Sequence, residues 1–93
     1  MNYRTYLCTS LEDQKDILAL LEKETSIRWA SGAKPTECVY YDDTPEDLKW
    51  NMLIIDLADP GLMFNPRPGF LTKKARLTKK GFVTYAKKHY PKS

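Results

Sequence analysis

No acidic side chain lies beyond Asp59. From Pro60 to Ser93 the chain carries nine bases: Arg67, Lys73, Lys74, Arg76, Lys79, Lys80, Lys87, Lys88 and Lys92. The first 59 residues hold all twelve acids against only six bases, so the net charge of +3 divides into −6 and then +9. That division excludes an evenly mixed surface and points to an electrostatic partner for the C-terminal third.

Other scarcities exclude chemistry. The single histidine, His89, stands close to the C-terminus, and nothing marks a nucleophile for it to activate. Two cysteines and one histidine are too few for a structural zinc site. Cys8 and Cys38 both sit in apolar, strand-like surroundings and are expected as free, buried thiols of a reducing compartment. A disulfide would require their strands to be neighbours at suitable spacing. Four scattered glycines make no phosphate-binding loop. Asp42 with Asp43 and Glu46 with Asp47 form adjacent acid pairs, but they lack the spacing of a calcium loop and read as a solvated acidic loop. No metal, cofactor or catalytic residue is therefore expected, and the reading is non-enzymatic. The longest apolar run, Met52-Leu53-Ile54-Ile55, ends at Asp56, far short of the roughly 20 residues of a membrane span. No apolar leader segment follows Met1-Asn2-Tyr3-Arg4. A cytoplasmic protein that does not enter the membrane is the expectation.

What is present suits one domain of 93 residues, with an acidic α+β core over 1–59 and a basic segment over 60–93. Residues 3–8 are rich in β-formers, with Tyr6 and Cys8 on one face. A helix follows to about Glu24, with Thr9 and Glu12 at capping-box spacing. Its apolar stripe is Ile17, Leu18, Leu20 and Leu21, extended by Leu11. Short strands are expected over 27–30 and 36–41, separated by the turn Ser31-Gly32-Ala33-Lys34-Pro35. Residues 51–57 read as the central, covered strand. Pro66 and Pro68 argue against a central strand between Leu62 and Gly69. The tetrads Leu71-Thr72-Lys73-Lys74 and Leu77-Thr78-Lys79-Lys80 resemble each other; the first reads as an edge strand, and Thr78 as the cap of a final helix through Tyr90. The expected fold is α+β: a small, mainly antiparallel sheet of three to five strands, with one helix packed on a face and a basic C-terminal helix that covers the sheet or projects.

The basic segment is the leading functional candidate. Arg67, Lys73, Lys74, Arg76, Lys79, Lys80, Lys87 and Lys88 would displace counterions from a phosphate backbone. Phe70, Phe82, Tyr85 and Tyr90 are interleaved with them and could stack on bases, or could be the core face of the last helix. Two alternatives stay open: the segment lies against the acidic half of its own chain, or it contacts an acidic protein. A possible protein-contact set is Trp29, Lys34, Asp42, Asp43, Glu46 and Asp47.

Within Trp29-Ala30-Ser31-Gly32-Ala33-Lys34-Pro35-Thr36-Glu37, Trp29 reads as a core filler and Gly32 as a position of positive φ. The helix followed by this Trp-x-Ser-Gly-x-x-Pro-Thr-like turn resembles short, mostly uncharacterised proteins of phages and prophages of low-GC Gram-positive bacteria, over roughly residues 10–41. The resemblance implies a mobile-element context and a small α+β fold; for a phage-encoded chain the expected cytoplasm is that of the host. The basic, proline-containing C-terminal third departs from that pattern. The expected function is a small binding protein that contacts nucleic acid or a nucleoprotein. The alternative is a protein-directed inhibitor or regulator of a host enzyme, for example in anti-defence.

Overall fold

In the computed structural model of the chain, the residues described are 3–39, 51–58, 61–65 and 73–92. Strand β1 (Tyr3–Cys8) is followed by helix α1 (Leu11–Glu24), strands β2 (Asn51–Asp56) and β3 (Leu62–Asn65), and helix α2 (Lys79–His89). The three strands form an antiparallel sheet in the order β1-β2-β3, with Tyr6 opposite Leu53 and Leu53 opposite Phe64. The α+β class, the antiparallel sheet and the central position of β2 are as the sequence predicts.

Strand alternation sorts the sheet into two faces. Tyr6, Cys8, Leu53, Ile55 and Leu62 point to one side, where Ile17, Leu18 and Leu21 of α1 and Phe82 and Ala86 of α2 complete the core. On the opposite side Thr5, Met52 and Ile54 are buried as well. Burial on both sides explains why β2 reads as a continuous apolar run rather than an alternating one.

Helix α1 starts one residue later than the capping-box spacing suggests. Ser10, not Thr9, is the N-cap, and its hydroxyl accepts from Asp13 N at 3.0 Å. The Asp13 carboxylate in turn accepts from Thr9 N at 3.0 Å, so a short acid at the third helical position replaces the expected Glu12. The buried stripe is Gln14, Ile17, Leu18 and Leu21. Leu11, expected to extend it, is exposed in the first turn, and the fully buried Gln14 ends the stripe with its amide donating to Cys8 Sγ. At the other end the Thr25 hydroxyl donates to Leu21 O and accepts from Ile27 N, which closes the helix and turns the chain.

Three expected strands are corrected within the described residues, which exclude 40 and 41. Residues 35–37 form a 3-10 turn, and Cys38 and Val39 belong to no strand. Pro35 cannot donate to a ladder. Lys34 N donates to Glu37 Oε1 at 2.6 Å, and Thr36 donates through both N and Oγ1 to Glu22 Oε1. These local bonds satisfy the backbone without a sheet partner. Over 27–30 the strand shrinks to one bridge, Trp29 beside Leu62. In the first lysine tetrad, Lys73 and Lys74 lie in a 3-10 turn instead of an edge strand, and Leu71 and Thr72 lie outside the described residues. Conversely, β3 occupies the four residues before Pro66, a sheet edge where nearby prolines are tolerated.

Both outer edges of the sheet are covered by single bridges. Leu77 N donates to Thr5 O at 2.8 Å beside β1, where Arg76 pairs with Thr5. Beside β3, Leu62 N donates to Arg28 O at 2.8 Å and Ala30 N to Leu62 O at 3.0 Å. Each contact occupies one position of an edge that would otherwise be open to pairing. The second contact depends on Gly61, whose φ is +90° and whose Cα faces the backbone of residues 28–30. Gly32 has the expected positive φ, +98°, but in open space.

Thr78 caps α2, accepting from Gly81 N at 3.1 Å, as its position in the second tetrad predicts. Beyond the helix, Ser26 N donates to Tyr90 O at 2.9 Å and Pro91 bridges to Thr25. The C-terminal segment is thereby pinned to the end of α1, so α2 covers the sheet and does not project.

Candidate nucleic-acid interface

The bases of the C-terminal third separate into two groups once their surroundings are considered. Three turn back onto α1. Lys79 forms an ion pair with Asp13, Lys87 lies 3.5 Å from Glu24 Oε1, and Lys92 Nζ donates to Glu22 O at 3.0 Å. Part of the basic segment thus lies against the acidic half of the chain, one of the alternatives the charge division left open. The second group faces outward: Lys74 in its 3-10 turn, and Lys80 and Lys88 on α2, are exposed. Arg76 is half-buried beside Thr5 at the β1 edge. Arg67 and the side chain of Lys73 lie outside the described residues.

Lys80, Thr84, Lys87 and Lys88 fall at i, i+4, i+7 and i+8, one stripe of α2. The opposite stripe carries the buried Phe82 and Ala86. The interleaved aromatics pack inward. Phe82 is fully buried against the Tyr6 ring at 6.0 Å, while Tyr85 and Tyr90 are half-buried against the core. Tyr85 also meets the His89 ring in a tilted arrangement at 4.6 Å and lies under the Arg4 guanidinium at 5.2 Å. Phe70 lies outside the described residues. The described surface of α2 therefore presents cations for phosphates without a row of free rings for bases.

Asp13 is the electrostatic centre of the fold. Its carboxylate accepts from the Tyr6 hydroxyl at 2.6 Å and from Thr9 N, and it pairs with Lys79. One side chain thus ties β1, α1 and α2 together. Burial alone would raise its pKa, but Lys79, the Tyr6 hydroxyl and the Thr9 N–H outweigh it and hold the carboxyl at about 2, against 3.8 ordinarily. The same contacts act in reverse on the partners: burial and then Asp13 push the Tyr6 phenol up, and Asp13 raises Lys79. A depressed carboxyl stabilises the fold above its unfolded pKa and loses that contribution as pH falls through the folded value. Stability should therefore decline between about pH 4 and pH 2. Asp13→Asn should cost about 1–2 kcal/mol at neutral pH, the partial exposure of Lys79 reducing the full linkage value. Urea midpoints of parent and variant measured across that range should converge at the acid end. A constant gap would show that the carboxylate is not what ties the three elements together.

The Cys8 thiol offers no reactive thiolate. Cys8 is buried, and burial pushes its pKa up to about 11, so it stays protonated at neutral pH. Both cysteines are free, and Cys38 is half-buried. Among the described residues no group of three His, Cys, Asp or Glu side chains could hold a metal ion. No helix among them is long and apolar enough to cross a membrane.

The protein-contact set comes apart similarly. Trp29 is 4 % exposed, and its indole N–H donates to Pro35 O at 3.0 Å, so it organises the turn from within. Lys34 is exposed on the rim of that turn. Asp42, Asp43, Glu46 and Asp47 lie outside the described residues. The role of Asp13 was not visible in the sequence beyond its place in the first helical turn. Lys79 lies in a distant segment, and no periodicity connects the two.

Scans against models of protein families, and searches of curated proteins and of solved structures, found no match to this chain.

Proposed function

We propose that this chain is a small non-enzymatic binding protein of a mobile genetic element that contacts nucleic acid, or a nucleoprotein, through the outer stripe of α2 and the adjoining 3-10 turn. The observation that carries this reading is Lys80. It stands in the first turn of α2, where no acid is present and where the helix dipole disfavours a cation. Its neighbour Lys79 is compensated by Asp13; Lys80 has no ion-pair partner among the described residues. A local rule broken without benefit to the fold is expected at a functional surface. Lys88, two turns on, extends the same stripe, and Lys74 precedes it.

Contacts of this kind grip phosphates and do not read bases, so binding should be indifferent to sequence. With Lys74, Lys80 and Lys88 as contacts, log K should fall against log salt with a slope of about −3 on duplex DNA. Replacing Lys80 and Lys88 together by Ser should flatten that slope by about 2 and leave the far-UV spectrum unchanged. Lys79 belongs outside this set, because its replacement would break the Asp13 pair and confound binding with stability. Absence of any shift of random DNA or RNA at low salt and high protein concentration would sink the reading.

A second reading, a protein-directed regulator, draws support from the cleft between α1 and α2. It has a volume of about 450 Å³, with Leu20 and Val83 contributing apolar surface, Lys79, Lys80 and Lys87 beside them, and Glu24 as its one acid. An acidic amphipathic segment would suit it. Capture from a host lysate that survives nuclease and moderate salt would favour this reading over the first.

A further inference from the structure

A second concentration of positive charge, apart from α2, lies at the far end of α1. A groove of about 480 Å³ lies there, lined by Lys23, Arg28, Lys34 and Lys92, with Glu22 as its single acid and Thr36 beside it. Three of those cations come from the end of α1 and the turn after it, and the fourth from the C-terminal segment. Their convergence is produced by contacts already described: Ser26 to Tyr90 and Thr25 to Pro91 bring in Lys92, while Thr36 on Glu22 holds the Lys34 turn against the helix. Glu22 stays ionised, its carboxyl pulled down by the two Thr36 bonds, and its Oε1 is turned to that turn. Neither Lys23 nor Lys34 has an ion-pair partner among the described residues.

Arg28 is held in place from behind. One of its terminal nitrogens donates to Gly32 O at 3.0 Å, across the turn whose glycine takes the positive φ. The rest of the guanidinium fork is left for a ligand, and that planar fork matches a phosphate. The volume falls within the range of small-molecule sites. Buried Ile27 and Pro35 supply an apolar part to the lining. A concave cluster with four cations and one acid suits a compact dianion better than an extended chain of single charges.

We propose that this groove binds a phosphomonoester of about mononucleotide size, with Arg28 and Lys34 on the phosphate and Lys23 and Lys92 strengthening the local field. The site is separate from the outer stripe of α2 and does not depend on that surface binding nucleic acid.

The test is an amide-shift titration of the whole chain with AMP, adenosine and inorganic phosphate. AMP and phosphate should move the amides of Ser26, Arg28 and Thr36 and saturate at one per chain, whereas adenosine should not. Arg28→Gln and Lys34→Gln should each weaken AMP at least about tenfold. Lys34, exposed at the rim, keeps the test open if the Arg28 variant does not fold. The Lys80→Ser, Lys88→Ser double variant should bind AMP like the parent even where it loses nucleic acid. The proposal is overturned if millimolar AMP leaves those amides unmoved, if adenosine shifts them equally, or if the α2 variant loses AMP as the groove variants do.

Discussion

Phe82→Ala should lower the stability of this domain by about 3–5 kcal/mol, the cost of removing a fully buried aromatic ring that the surroundings cannot collapse to replace. On a domain of this size that corresponds to a fall of roughly 15–30 °C in melting temperature. The size of the effect follows from how α2 is attached. Only Phe82 and Ala86 of its eleven residues are fully buried. Phe82 meets the Tyr6 ring on β1; the rest of the attachment is the partly buried Val83, Tyr85 and Tyr90, the Ser26–Tyr90 hydrogen bond and the Lys79 and Lys87 ion pairs. Surface pairs of the Lys87–Glu24 kind contribute little, in the range of about 0–1 kcal/mol. Without Phe82, α2 should detach or the whole domain should unfold, and limited proteolysis separates the two. Cleavage confined to the C-terminal third would mean that the sheet and α1 persist alone. A melting point within a few degrees of the parent would mean that α2 is not part of the core.

The sequence could show α1, β1, β2 and α2 because each is written in local terms. Leu18 and Leu21 repeat at helical spacing, Tyr6 and Cys8 alternate, Met52 to Ile55 form one apolar run, and Thr78 precedes a helix as its cap. Strand β3 was hidden because four residues before a proline carry little pattern of their own. Their pairing with β2 is a tertiary fact. Residues 36–39 misled in the opposite direction. Their β-forming composition is genuine, but the Lys34–Glu37 and Thr36–Glu22 bonds satisfy the backbone first.

The charges show the same limit more sharply. The division into an acidic and a basic part is plain in the sequence. Which bases turn back onto the fold is not, because Lys87 meets the Glu24 carboxylate across 63 residues and Lys92 meets the Glu22 backbone carbonyl across 70. The fold uses some of the asymmetry to hold its last helix against its first. The bases without an ion-pair partner among the described residues, Lys74, Lys80 and Lys88 beside or on α2 and the cluster around Arg28, are the part that stability does not explain. The cluster could not be read from spacing, since Lys92 joins Lys23, Arg28 and Lys34 only through the fold.

Gly61→Val should be among the most damaging single changes, with an expected cost of about 3–5 kcal/mol. Two effects combine. A φ of +90° is strained for any side chain and more so for a β-branched one, at about 1–3 kcal/mol. A Cβ at this position would also drive into Arg28 O and come within 3.1 Å of Ala30 N and Trp29 C, all of them backbone atoms that cannot rotate away. The strap over residues 28–30 would have to lift from β3. Lifting it breaks the Leu62–Arg28 and Ala30–Leu62 hydrogen bonds, at about 0.5–1.5 kcal/mol each, and opens the seat of Trp29. Gly32→Val provides the control. Its φ is similar, but nothing lies within 4 Å of a Cβ there, so only the strain should be felt. Urea unfolding of both variants should separate them by about 2 kcal/mol, the value of the two lost hydrogen bonds. Fluorescence in a Trp50→Phe background should shift to the red for Gly61→Val alone, as Trp29 meets water. Equal midpoints and unshifted emission would mean that the strap does not rest on Gly61. The edge of β3 would then need another explanation for its protection, and the position of Arg28 at the groove another support.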